Sequence, residues 1–146
     1  MKTLSLYRRW LRRKRIAFDT SFLIPLLEDT GHKEGTVTRI FEIAERRSLL
    51  LLTSTVTLLE VLVHPYRYEA IDTVNLYYGY LVQAPYVRLV SLSTEIADCA
   101  ARLRAEYGFK TPDAIQLSTA ITEGAALFLT RDREFRKQKE IEIGLI

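Results

Sequence analysis

Apolar and polar positions alternate in two rhythms along this chain. Strand-sized apolar runs stand at Ile16–Asp19, Leu49–Thr53, Val87–Leu92, Ala126–Leu129 and Ile141–Ile143. Between them the apolar positions recur at helical spacing, as in Val37, Ile40, Phe41 and Ala44, which share one face and end at Arg46 and Arg47, cations suited to a helix C-terminus. The same reading predicts a short helix over Ser21–Glu28, a loop over Gly31–Gly35, and a helix over Val56–Val63 stopped by Pro65. It further predicts one long helix across Tyr68–Gln83 and a helix over Thr94–Tyr107 closed by Gly108. A last helix is expected to open at Thr111-Pro112, with Thr111 as cap and Pro112 at the first helical position. Strands alternating with helices imply an α/β fold, with a mainly parallel central sheet covered on both faces.

Such sheets bind ligands beyond the carboxyl ends of their strands. Asp19 closes the first apolar run, and Asp132 follows the fourth in LFLTRDREF. Asp113 falls in the first turn of the helix in KTPDAIQLSTA, and Glu60 interrupts the apolar run LLEVLV. Each has a plain structural role open to it. The three aspartates can cap or stabilise helix starts, and Glu60 can face solvent. The three aspartates fall where strand ends or helix starts would meet at one edge of the sheet, and Glu60 sits on a neighbouring helix. Gathered carboxylates repel one another and raise their own pKa values, a penalty that a hard divalent cation removes. Oxygen-only ligands favour Mg²⁺ or Mn²⁺ over zinc, and a hydrated Mg²⁺ suits phosphodiester hydrolysis.

Charge is unevenly spread. The chain has 21 Lys+Arg and 18 Asp+Glu, formally +3, in 146 residues. Residues 1–15 hold Lys2, Arg8, Arg9, Arg12, Arg13, Lys14 and Arg15 and no acid, so 16–146 carry a net −4. An acidic domain, 16–146, is thus preceded by a basic extension, 1–15, open to three roles: an RNA-binding arm, a contact for a partner or second subunit, or a dispensable lead. Its Arg8-Arg9 pair is followed by a stretch broken by Asp19 and without a small-residue cleavage site, so a cytoplasmic protein is expected. No apolar run reaches the ~20 residues of a membrane span.

Other chemistries lack their residues. A single cysteine, Cys99, in the alanine-rich stretch EIADCAAR reads as a small apolar position and excludes an internal disulfide. Two histidines, His32 and His64, without HExxH spacing give no zinc enzyme, and no GxxxxGK, GxGxxG or GxSxG occurs. A signalling receiver domain would want a paired acidic turn after the first strand, and only Asp19 stands there. Tyr66, Tyr68, Tyr77, Tyr78 and Tyr80 are expected in the core or at a dimer surface rather than as a base-stacking platform.

From Ile16 onward the chain resembles the PIN-domain nucleases, most of all the VapC-type toxins of toxin–antitoxin pairs. The resemblance rests on IAFDTSFLI, TSTVTLLEVLVHP, YGFKTPDAIQLSTAI and LFLTRDREF in that order, with 41, 53 and 19 residues separating the successive acids. It implies a PIN-like three-layer α/β/α sandwich. Asp19, Glu60 and Asp113 match the family's three core acids, and Asp132 matches its more variable fourth. Thr20, Ser21 and Thr130 match hydroxyl residues that orient the acids. The implied activity is a Mg²⁺- or Mn²⁺-dependent endoribonuclease cutting single-stranded or structured RNA, such as tRNA or rRNA, to leave a 5′-phosphate and a 3′-hydroxyl. A cognate antitoxin and a homodimer are implied as partners. Arg131, Arg133 and Lys110, beside the acids, are candidates for holding RNA phosphates. A non-catalytic RNA- or protein-binding PIN-like module is the alternative.

Overall fold

The computed structural model describes Arg12, residues 14–28 and residues 35–146. Most of the basic extension and the greater part of the GHKEG loop lie outside the described residues.

Five strands form one sheet: β1 (Arg15–Phe18), β2 (Leu50–Ser54), β3 (Val87–Val90), β4 (Leu127–Thr130) and β5 (Glu142–Leu145), in the order β3-β2-β1-β4-β5. Every neighbouring pair is parallel, Ile16 lying opposite Leu51 on one side and Leu127 on the other. The helices are α1 (Thr20–Glu28), α2 (Thr36–Arg47), α3 (Thr55–Arg67), α4 (Ile71–Tyr78), α5 (Thr94–Tyr107) and α6 (Thr111–Thr122), with a 3₁₀ turn at Arg133–Lys137.

Alternation along the strands divides the core in two. Ile16, Phe18, Leu51, Leu127 and Leu129 pack on one face with Phe22, Phe41, Tyr77 and Leu81 from α1 to α4 and the segment after it. Ala17, Leu52 and Phe128 point the other way and meet Ala100, Leu103, Leu117 and Phe135 from α5, α6 and the 3₁₀ turn. The result is the α/β/α sandwich, and both faces need apolar residues because each is covered. On the first face the Phe18, Phe22 and Phe41 rings meet at centroid distances of 4.9–6.1 Å, tilted or edge-on, the arrangement that ring quadrupoles favour.

Two helix boundaries differ from expectation. Pro65 does not stop α3, which runs on to Arg67. The missing N–H is needed only by the last turn, and the ring itself is buried, so packing offsets the lost bond. The chain instead turns at Glu69, in the left-handed region at φ 52°. There the Ala70 N–H reaches the Pro65 carbonyl at 2.8 Å and the Glu69 N–H that of Tyr66 at 3.3 Å, a Schellman closure of the helix end. The expected Tyr68–Gln83 helix therefore begins only at Ile71, and it widens into a π-type segment over Gly79–Gln83.

The second boundary is the start of α6. Lys110, not Thr111, stands at its cap, without a side-chain cap bond, and Thr111 and Pro112 are already helical. Gly108, at φ 72°, closes α5 as expected, its N–H donating to the Arg104 carbonyl at 2.9 Å. Among the described residues no helix is long and apolar enough to cross a membrane. Of the tyrosines, Tyr77 is buried, Tyr78 and Tyr80 pack against the core, and Tyr66 and Tyr68 are exposed.

Candidate active site

The strand order reverses at β1: β2 and β3 follow on one side, β4 and β5 on the other. Crevices form at such switch points, because the helices leaving adjacent strands depart to opposite faces. Here Asp19 directly follows β1, Arg131 and Asp132 follow Thr130 at the end of β4, α3 leaves β2 carrying Glu60, and α6 begins with Asp113 in its first turn. An open cleft of about 510 Å³ lies at this edge, lined by Asp19, Thr20, Ser21, Ile24, Glu60, Val63, Asp113, Gln116 and Asp132. All four predicted acids and two of the three predicted hydroxyls thus share one cleft.

Asp19 is the most deeply set, 3% exposed. Its Oδ1 accepts from the Ser21 hydroxyl at 2.7 Å and from the Phe22 N–H at 3.1 Å, and its Oδ2 accepts from the Thr130 hydroxyl at 2.7 Å. The Phe22 contact is the helix-capping role, so Asp19 both starts α1 and faces the cleft. Thr130, buried behind it, also accepts from the Asp132 N–H at 3.0 Å, and Ser21 accepts from the Arg131 N–H at 2.8 Å. These bonds tie the ends of β1 and β4 together around one carboxylate.

The electrostatics carry a cost. Burial pushes the Asp19 carboxyl from 3.8 up to about 6, even though the Thr130, Ser21 and Phe22 donors pull it down; the Asp113 charge adds a smaller upward push. Asp113 is also raised, first by burial and then by repulsion from Asp132 and Glu60, with Lys110 and Lys137 working against the rise. Three donors around Asp19 favour its ionised form, yet burial outweighs them. The cleft thus holds more negative charge than its own donors stabilise.

Asp132 caps the 3₁₀ turn, its Oδ1 accepting from the Glu134 N–H at 2.9 Å. Glu60 is half-buried, and its Oε2 accepts from the Thr20 hydroxyl and from the Gln116 amide at 2.9 Å. Among the described residues nothing donates to Glu60 Oε1, Asp132 Oδ2 or either Asp113 oxygen. Lys110, Arg131 and Arg133 are exposed and do not line the cleft. Lys137, by contrast, lies with its ammonium over the Phe109 ring, 4.4 Å from its centroid.

Gln116 and Thr57 were missed as site residues in the sequence. Gln116 is 3% exposed and reaches Thr20, Thr57 and Glu60 together. A signal was present. Gln116 stands three residues after Asp113, and Thr57 three before Glu60, each sharing a helix face with its acid.

The donor set fits a hard divalent cation: oxygens only, several with free lone pairs, and two carboxyls with raised pKa values whose charge such an ion would neutralise. Among the described residues no group of three acidic, histidine or cysteine side chains stands ready to hold a metal ion. An ion here would keep waters among its ligands, as Mg²⁺ does.

Comparison with known proteins bears on the whole domain. Residues 16–141 match the model of the PIN domain. Comparison with curated proteins finds none that matches. Among solved structures the chain is similar to VapBC2 of Rickettsia felis, bound to a DNA fragment from its promoter, with a TM-score of 0.72 at 13% identity, covering 90% of this chain and 98% of that one. It is similar to Mycobacterium tuberculosis VapC20, a sarcin–ricin loop cleaving toxin, with a TM-score of 0.66 at 18% identity over 87% and 97% of the two chains. A toxin–antitoxin complex from Klebsiella pneumoniae matches with a TM-score of 0.59 at 24% identity over 86% and 94%. The family match over most of the chain, on an all-parallel sheet whose carboxyl edge gathers the four acids, makes this protein a member of the PIN-domain family.

Proposed function

We propose that the cleft is the active site of a Mg²⁺- or Mn²⁺-dependent endoribonuclease, acting on single-stranded or structured RNA as the toxin of a VapBC-type pair. The observation that carries this is the convergence of Asp19, Glu60, Asp113 and Asp132, from four separate segments, on one cleft where two of them have raised pKa values. These four would hold the cation, directly or through its waters. When bound, such an ion supplies a water activated for attack and neutralises charge developing on the phosphate.

The protein's own groups do the rest. Thr130, Ser21 and the Phe22 N–H hold the Asp19 carboxylate in one orientation, so no reorganisation is needed at the moment of reaction. One of the free carboxylate oxygens of Glu60, Asp113 or Asp132 takes the proton of the attacking water. Ile24 and Val63 add apolar surface to the wall of the cleft. Lys110, Arg131 and Arg133, exposed beside the acids, hold flanking phosphates. The neighbours include VapBC2 of Rickettsia felis and a toxin–antitoxin complex of Klebsiella pneumoniae, which supports a cognate antitoxin for this chain. The proposal extends to a homodimer of the toxin acting in the cytoplasm.

Incubation with total RNA in Mg²⁺, Mn²⁺ or chelator, with fragment ends mapped, tests the proposal. Wild-type protein should cut with either metal, leave a 5′-phosphate and a 3′-hydroxyl, and stop in chelator. Cleavage that persists in chelator, or RNA bound but never cut in either metal, would contradict it, the second outcome marking a binding module.

A further inference from the structure

Gln116 sits where two helices face each other beneath the cleft, and its hydrogen bonds can be assigned a direction. Thr53 Oγ1 lies 2.8 Å from the Phe18 carbonyl and 2.8 Å from Thr57 Oγ1. A hydroxyl has one proton and a carbonyl only accepts, so Thr53 donates to Phe18 and Thr57 donates to Thr53. Thr57 is then left as an acceptor for the Gln116 amide at 3.2 Å. The other amide N–H is shared between Thr20 Oγ1 at 2.7 Å and Glu60 Oε2 at 2.9 Å. Thr20 spends its own proton on Glu60 Oε2.

Donation therefore starts at the Gln116 amide and runs both ways, to the Glu60 carboxylate on one side and through Thr57 and Thr53 to the carbonyl of Phe18, the residue before Asp19, on the other. Reversing the Gln116 amide would set its carbonyl oxygen against the Glu60 carboxylate, so the donor end is fixed toward the site. Both donors reach the same oxygen of Glu60, which leaves Oε1 for the cleft.

We propose that Gln116 is a positioning residue for the cation site: it locks the Glu60 carboxylate with Oε1 turned outward and ties that geometry to the strand end carrying Asp19. This rests on the nuclease reading above, because it assigns Glu60 to the metal. Partners that orient a metal's ligands typically contribute about 10–100-fold to its affinity.

The test is Mn²⁺ affinity of the full chain, followed by electron paramagnetic resonance, with thermal melting in chelator as a check on folding. Gln116→Met keeps the length and volume without the donors. It should weaken Mn²⁺ binding by about tenfold while melting within a few degrees of wild type in chelator. In a Glu60→Gln background the same change should add no further loss, since the residue acts through Glu60. Wild-type affinity in Gln116→Met, or an undiminished additional loss in the Glu60→Gln background, would overturn the proposal. Should Gln116→Met fail to fold, Thr57→Val decides in its place. It is isosteric, should weaken Mn²⁺ binding about two- to threefold through the same route, and overturns the proposal if it has no effect. Failure of the wild-type protein itself to bind Mn²⁺ would reject the nuclease reading, and this inference with it.

Discussion

Phe18 in the aromatic layer under α1–α4 and Asp19 at the carboxyl edge of the sheet are buried to similar depth, and the two regions solve burial differently. Phe18, Phe22 and Phe41 exclude water by packing ring against ring, and nothing there needs a partner. One residue further along β1, Asp19 is 3% exposed and has three donors, yet its carboxyl still rises to about 6. The first region is complete as built. The second keeps two carboxyls raised above their ordinary range, Asp19 and Asp113, in agreement with the cation site we propose.

Changes to each region should separate accordingly. Asp19→Asn should lower RNA cleavage by at least about tenfold, since losing a ligand of the proposed cation costs no less than losing a partner that orients one, while the protein remains folded; unchanged cleavage in Mg²⁺ would erase the distinction between the two regions. Phe41→Ala, in the finished layer, should instead destabilise the fold by about 3–5 kcal/mol, read from denaturant unfolding.

The pH dependence sharpens the contrast. A carboxyl raised from 3.8 to about 6 on folding binds more protons in the folded state across that interval. Stability without metal should then be fullest below pH 4 and decline as pH rises through 6, with Asp113 acting in the same direction. At pH 7 the loss from Asp19 is on the order of 3 kcal/mol, and Asp19→Asn should remove that slope. A stability that rises between pH 4 and 6 in wild type but not in Asp19→Asn would mean that folding lowers this carboxyl rather than raising it. The smallest effect is expected far from both regions. Glu69→Gly relieves the left-handed φ of 52° at the end of α3 and should stabilise by about 0.5 kcal/mol, measured by thermal unfolding.

Much of this was legible in the sequence, for definite reasons. Parallel strands covered on both faces read as short apolar runs, so the strands were visible to within a residue or two, and Asp19 and Asp132 stood at their ends. The helix limits were less visible. A proline usually stops a helix, but Pro65 falls late in α3, and burial of its ring offsets the lost bond, a tertiary effect that no local pattern contains. The same holds for Gln116. Its spacing from Asp113 was readable, but the meeting of α6 with α3, which puts its amide on Glu60, is a product of topology. The basic extension, the most unusual feature of the charge pattern, lies largely outside the described residues.

We propose that the Asp19 carboxyl, raised by burial, is drawn back down by a divalent ion bound beside it. The Asp19 carboxyl ¹³C resonance, followed through a pH titration in chelator and again in Mg²⁺, tests this directly. A midpoint near 6 in chelator and a clear fall on adding Mg²⁺ are expected. An ordinary midpoint near 3.8 in chelator, or a raised one that Mg²⁺ leaves unmoved, would contradict it.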